Sequence, residues 1–152
     1  MEINGIAHVM LTVRNVAKSR PFYVALLEHM GLTKVIDSPE YVYYVGGRTA
    51  VGLRPASPEH VNAPFQQGHA GLHHVCFRAR EREDVDLLHE LVKGLVASHG
   101  GKVVHAPQED KWVPGYYSVL FEDPDGLRLE MNHVPGKGVF ERGAAEVRRS
   151  QQ

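Results

Sequence analysis

Two histidines and one glutamate in this 152-residue chain have the residue types and the placement to hold a metal ion. His8 stands in IAHVMLTV, His74 in GLHHVCFRAR and Glu130 in GLRLEMNHV, and the alternating apolar residues of each stretch predict a β-strand. Counting alternate residues puts all three side chains on the face opposite the apolar one. Two imidazoles and one carboxylate form a ligand set that leaves coordination positions open for other groups.

Each of these residues also has an ordinary interpretation. A single strand histidine is more often a satisfied interior or surface residue than a ligand, and Glu130 fits a solvated charge on an exposed face. An internal repeat favours the metal interpretation, because the strands at His8 and His74 have the same pattern and the two histidines lie 66 residues apart at matching positions. The spacing in the sequence does not establish whether the side chains of His8, His74 and Glu130 meet at one point.

The elements around these residues repeat in the same order. The first strand leads to a helix with Asn15 as its predicted N-cap and its end at Gly31, although Pro21 inside the pattern moves the predicted start to Ser19 or Arg20. The second helix is predicted from about Glu83 to His99. Short strands follow each helix, in LTKVID, YVYYV and TAVGLRP and in KVVHAP, YYSVLFED and LRLEMNHV.

The fold class expected from this order is α+β, with two βαβββ modules whose curved mixed sheets surround a central pocket. We expect a single domain over residues 1–152, with module one at 3–55, a proline-rich linker at 56–71 and module two at 72–134. DPDG at 123–126 predicts a tight turn. The polar tail at 135–152 is expected to be peripheral or an oligomer contact.

The composition excludes several classes of partner. Hydrophobic residues make up 43% of the chain, charged residues 23%, and the net charge is −1, so no overall field attracts nucleic acid or anionic lipid. No apolar run has the length of a membrane span. Cys76 is the single cysteine, which excludes an intrachain disulfide framework and fits a reducing cytoplasm.

The chain resembles the vicinal oxygen chelate superfamily, which includes glyoxalases, epimerases, extradiol dioxygenases, thiol transferases and bleomycin-binding proteins. The resemblance rests on HVMLTV, GLHHVCF and FEDPDGLRLE and covers residues 3–134. It implies that His8, His74 and Glu130 bind one divalent ion, namely Fe²⁺, Mn²⁺, Zn²⁺ or Ni²⁺. His73 then either has no role in metal binding or supports the neighbouring ligand His74. The resemblance is also compatible with a homodimer, because relatives often pair modules across subunits.

The fourth ligand position of the resemblance falls near Gly52, in TAVGLRP, where relatives of the glyoxalase and epimerase type have a glutamate. Those reactions use a pair of carboxylates for proton transfer, so a glycine at this position argues against glyoxalase and epimerase activity. It favours dioxygenases and thiol transferases, in which the substrate itself chelates the metal. Neither fits fully, because the chain lacks the dioxygenases' additional histidine before the final turn and the potassium loop of the fosfomycin enzymes.

Four further residues are candidates for a substrate pocket. Trp112, Tyr116 and Tyr117 fit an aromatic wall for an organic ligand or, alternatively, core aromatics before a hairpin. Arg78 shares a predicted face with His74 and fits either an anion-binding residue or a strand-end cap. Cys76 is expected to be a small buried residue rather than a nucleophile.

These observations leave three hypotheses for the function. The first is a divalent-metal-dependent enzyme, of dioxygenase or lyase/transferase type, that acts on a small oxygen-bearing substrate. The second is a metal-free binding protein of the bleomycin-resistance kind. The third, a purely structural domain, would leave polar residues unpaired in a cavity, which is costly.

Overall fold

The computed structural model describes residues 3–136, which form two helices and two four-stranded sheets. Residues 137–152 of the predicted tail lie outside the described part. The elements in chain order are β1 Val9–Val13, α1 Val16–His29, β2 Thr33–Asp37, β3 Val42–Gly46, β4 Thr49–Pro55, β5 Val75–Arg78, α2 Arg82–His99, β6 Lys102–Asp110, β7 Tyr116–Glu122 and β8 Arg128–His133.

The two sheets have the same topology. One has the order β1-β4-β3-β2 and the other β5-β8-β7-β6, and in both the first strand pairs parallel with the last while the other pairs are antiparallel. This arrangement confirms the predicted pair of βαβββ modules. We call the β1–β4 unit with α1 module one and the β5–β8 unit with α2 module two.

One face of each sheet packs in the core and the other, which we call the ligand face, has the candidate site residues. The alternation predicted for β1 and β8 is confirmed, since Leu11, Val13, Leu129 and Met131 are all buried. Both helices contribute to the same core; their buried residues are Val16, Ser19, Phe22, Tyr23, Leu26, Leu27, Val85, Leu88, Val92 and Leu95. No helix within residues 3–136 is long and apolar enough to cross a membrane.

Helix α1 begins earlier than Ser19 or Arg20, so that expectation was wrong. It starts at Val16, with the Asn15 side chain accepting a hydrogen bond from the Lys18 backbone N–H at 3.0 Å, as expected of an N-cap. Pro21 therefore lies inside the helix and removes one backbone hydrogen bond. Burial of the helix's apolar face, which includes Val16, outweighs that loss.

The two modules meet at the DPDG turn. The Tyr23 hydroxyl of α1 donates a hydrogen bond of 2.7 Å to the Oδ2 atom of Asp123, and the Asp123 Oδ1 atom accepts the backbone N–H groups of Asp125 and Leu127 at 2.8 Å each. Arg14 forms an ion pair of 2.9 Å with Asp125. The turn that leads into β8 is thus also bonded to module one, in addition to the packing of α1 on α2.

Replacing Tyr23 by Phe should lower the free energy of unfolding by about 1–3 kcal/mol, because a buried carboxylate loses a hydrogen bond. Tyr117→Phe is the matched control, since its hydroxyl donates a similarly short bond, 2.6 Å, to the exposed Asp86. Chemical denaturation should show a change within about 0.5 kcal/mol for the control. Equal effects of both substitutions would contradict the role given to the buried junction.

Asp123 should also make stability depend on pH. Burial raises its pKa from 3.8 to about 6, so the folded state favours the protonated carboxyl. This contribution to stability is present below pH 4 and is lost as the pH rises through 6. Relative to wild type, Asp123→Asn should therefore gain stability between pH 4 and pH 7, by about 3 kcal/mol at most. Denaturation at several pH values tests this; a pH-independent difference would contradict it.

Candidate metal-binding face

The ligand face of module two is built by the parallel pair β5 and β8. The register pairs Val75 with Leu129 and Cys76 with Glu130. His74 stands one residue before β5, so its side chain lies on the same face as those of Cys76 and Glu130. The two strands therefore bring an imidazole and a carboxylate from distant parts of the chain to one point.

His74 and Glu130 are in direct contact. The distance from His74 Nε2 to Glu130 Oε2 is 3.1 Å, and the two side chains are 36% and 10% exposed. The other carboxylate oxygen, Oε1, accepts a hydrogen bond of 2.6 Å from the Tyr116 hydroxyl. Burial and the bond to Glu130 raise the pKa of Tyr116 far above its ordinary value, so the phenol is protonated. A histidine nitrogen beside a carboxylate oxygen is a donor pair that fits a divalent transition metal.

His8 is not part of this contact. It is exposed at the start of β1, on the ligand face of module one, at the position that corresponds to His74 in module two. Within residues 3–136, no three histidine, cysteine, aspartate or glutamate side chains come together in a way that could hold a metal ion. One chain thus assembles two of the three predicted ligands.

Gly52 is the counterpart of Glu130 in module one. It pairs with Met10 of β1, as Glu130 pairs with Cys76 of β5. A Cβ atom at Gly52 would lie 2.5 Å from the Met10 sulfur and 2.9 Å from the Tyr43 ring. Neighbouring side chains thus fill the space that an acidic side chain would need, and this position supplies no ligand.

The aromatic and basic candidates are dispersed. Tyr116 lies at the His74–Glu130 pair, whereas the Tyr117 hydroxyl bonds to Asp86 of α2 and the Arg82 guanidinium lies 3.7 Å from the centre of its ring. Trp112, in the turn between β6 and β7, is 70% exposed. Arg78 donates hydrogen bonds to the backbone carbonyls of Val134 and Gly136, which lie just beyond the end of β8.

Cys76 differs from the expectation, because the residue is exposed rather than buried. Its side chain is on the ligand face, beside that of Glu130. Neighbouring groups still desolvate the sulfur, and together with the Glu130 carboxylate they raise the pKa of the thiol to about 12. The thiol is therefore protonated at neutral pH and is a poor nucleophile.

Sequence reasoning missed an aromatic groove on the ligand face of module one. Tyr41 and Tyr43 stack with their ring centres 6.2 Å apart and their planes 13° from parallel. The groove has a volume of about 410 Å³ and is lined by Met10, Glu40, Tyr41, Arg54 and Pro55. The spacing in YVYYV was the available signal, because Tyr41, just before β3, and Tyr43 within it are two residues apart and so share a face.

The profile of the glyoxalase/bleomycin resistance protein/dioxygenase superfamily matches residues 5–131. The chain belongs to this superfamily. None of the curated proteins matches it in sequence. The superfamily includes enzymes, and small-molecule binding is typical of it.

Solved structures of the superfamily share the fold. A glyoxalase candidate from Bacillus halodurans aligns with a TM-score of 0.69 and 23% identity over 86% of this chain and 96% of its own. A glyoxalase/bleomycin resistance protein from Albidiferax ferrireducens T118 gives 0.66 and 24%, over 84% and 98%. A lactoylglutathione lyase from Agrobacterium tumefaciens gives 0.58 and 23%, over 88% and 96%. At these identities the likeness establishes the fold alone.

Gly52→Ala should lower the free energy of unfolding by about 1 kcal/mol or less, because the added methyl group crowds Tyr43 and the end of the Met10 side chain, which is half-buried and can move aside. Combining it with Met10→Ala should relieve much of this cost, which a double-mutant cycle would measure. Gly94→Ala is the control, since a Cβ atom there has no neighbour within 4 Å and lies inside α2. It should stabilise the protein by about 0.5–1 kcal/mol. If Gly52→Ala destabilised the protein equally with and without Met10→Ala, crowding against Met10 would not be the cause.

Proposed function

We propose that the protein binds one divalent metal ion at a site made by His8, His74 and Glu130, and that a small oxygen-bearing substrate chelates this ion. The observation that supports the proposal is the contact of His74 Nε2 with Glu130 Oε2 at 3.1 Å; the resemblance to the superfamily assigns metal ligands to these two positions. A bound divalent ion supplies Lewis-acid polarisation of the substrate's oxygens. The candidates remain Fe²⁺, Mn²⁺, Zn²⁺ and Ni²⁺.

We infer that a second copy of the chain supplies the third ligand. His8 occupies in module one the place that His74 occupies in module two, and both ligand faces look outward from the shared core. Ile6 and Leu72 stand two residues before these histidines and are exposed large apolar side chains. In a two-fold dimer, module one of each chain would face module two of its partner. This contact would cover Ile6 and Leu72 and bring His8 of one chain to the His74–Glu130 pair of the other.

The reaction class follows from Gly52. The four ligand positions of the resemblance are occupied by His8, Gly52, His74 and Glu130, which supply one carboxylate rather than two. The site therefore lacks the pair of acids that isomerisation next to a carbonyl uses. This favours a reaction in which the substrate binds the metal through two oxygens, of dioxygenase or of lyase/transferase type. Catechols under air are the first substrates to test.

The alternative function is metal-free binding of a small organic molecule. The observation that favours it is the stacked pair Tyr41 and Tyr43 beside a groove of about 410 Å³, which needs no metal to hold an aromatic ligand. The measurement of bound metal separates the two functions.

Protein purified without chelators should contain about one equivalent of a transition metal per chain, and His74→Ala or Glu130→Gln should lose it. His105→Ala is the control, because His105 is a half-buried histidine of β6 whose Nδ1 atom contacts the neighbouring Ala106 carbonyl rather than the proposed site. Elemental analysis measures the content. Wild-type protein that binds none of the four ions after reconstitution would contradict the metal site and favour metal-free binding.

A mixed dimer tests whether the site is shared. One subunit has His8→Ala and the other His74→Ala, so an intact ligand set exists only if His8 of one chain joins His74 and Glu130 of the other. We expect about one ion per mixed dimer, and about none in dimers of either variant alone. Metal-free mixed dimers would show that each chain builds its own site, and a monomeric wild type would exclude the shared site.

A further inference from the structure

The two oxygens of the Glu130 carboxylate have different partners. Oε1 accepts the Tyr116 hydroxyl at 2.6 Å, and Oε2 faces His74 Nε2 at 3.1 Å. A hydrogen bond of 2.6 Å from a phenol to a carboxylate is at the short, strong end of its class. Because Glu130 is largely buried, this bond is sheltered from water and holds the carboxylate in one orientation.

The second oxygen is therefore the one left for a metal ion. A carboxylate can ligate through one oxygen or both, and a donor fixed on Oε1 opposes the second mode. Tyr116 is in turn fixed by its position at the first residue of β7, where its backbone N–H bonds to the Val113 carbonyl at 3.1 Å. The orientation of Glu130 thus depends on a residue of the neighbouring strand.

His73 has the corresponding relation to His74. The two Nδ1 atoms lie 2.8 Å apart, with the ring planes at 80° to each other. A contact this short needs a proton between the two nitrogens. When a metal ion takes the place of the proton between Nε2 and Glu130, His74 keeps its proton on Nδ1, where it is donated to His73 Nδ1, and the lone pair of Nε2 is left for the ion. Hydrogen bonding at one imidazole nitrogen commonly fixes the tautomer that ligates through the other.

We propose that Tyr116 and His73 are positioning residues, which make Glu130 a one-oxygen ligand and His74 an Nε2 ligand. This inference rests on the proposed function. Neither residue touches the metal. Each ligand then gives one atom. Because the bond from Tyr116 keeps Glu130 Oε1 from ligating, one more coordination position stays open for a substrate that chelates through two oxygens.

Co²⁺ is the probe, because it reports both affinity and coordination through its visible absorption. Tyr116→Phe should bind Co²⁺ about 10–100-fold more weakly than wild type, because Glu130 is no longer held in one orientation. It should also change the absorption spectrum, because Glu130 is then free to ligate through both oxygens. Tyr117→Phe is the matched control: it removes a hydroxyl with an equally short bond from the adjacent residue, on the opposite face of β7. It should match wild type in affinity and spectrum.

His73 is tested by a pair of variants. His73→Asn keeps a hydrogen-bond acceptor close to the place of Nδ1 and should retain near-wild-type Co²⁺ affinity, whereas His73→Leu should weaken binding about 10-fold or more. Circular dichroism and the unfolding midpoint, measured on the metal-free proteins, show that all variants are folded. Rescue by asparagine is a result that a merely space-filling role for His73 would not produce.

The outcomes separate this inference from the proposal on which it rests. If wild type binds Co²⁺ and both Tyr116→Phe and His73→Leu match it in affinity and spectrum, the positioning roles are overturned and the metal site stands. If wild type binds no Co²⁺ and none of the four candidate ions, the metal site fails and the positioning roles fail with it.

Discussion

The parallel register between β5 and β8 is the constraint on which the candidate site depends. Pairing Cys76 with Glu130 places His74 beside a carboxylate that is 56 positions further along the chain. A slip of one residue would turn Glu130 into the apolar core and Leu129 onto the ligand face. The burial of Leu129 and Met131 against α2 prevents that slip, so the packing of the core fixes the geometry of the polar face.

The same strand is held at its other end by the DPDG turn. Asp123 ties the turn together through two backbone N–H groups and joins it to α1 through Tyr23, so the junction between modules and the start of β8 share one buried carboxylate. Burial disfavours the charged form of the Asp123 carboxyl, as its raised pKa shows. The hydrogen bonds from Tyr23 and the backbone offset that cost at the point where the two modules must be aligned.

The two modules share a backbone plan and differ in chemistry. At matching positions, module one has Met10 and Gly52 where module two has Cys76 and Glu130. Met10 and Gly52, together with the stacked Tyr41 and Tyr43, belong to a largely aromatic surface. In module two, Glu130 and the neighbouring His74 form a polar surface. A dimer in which one surface faced the other would place the aromatic groove of one chain opposite the proposed metal site of its partner.

The sequence by itself determined the strands, the helices and the faces. Period-two alternation identified the buried face of β1 and placed His8, His74 and Glu130 on the opposite side, because a strand's alternation is a local property of the backbone. Only the tertiary structure decided which neighbours those residues have. It brought Tyr116 to Glu130, sent the adjacent Tyr117 to α2, and left His8 apart, since contacts between strands depend on register and on packing between modules, which no local pattern encodes.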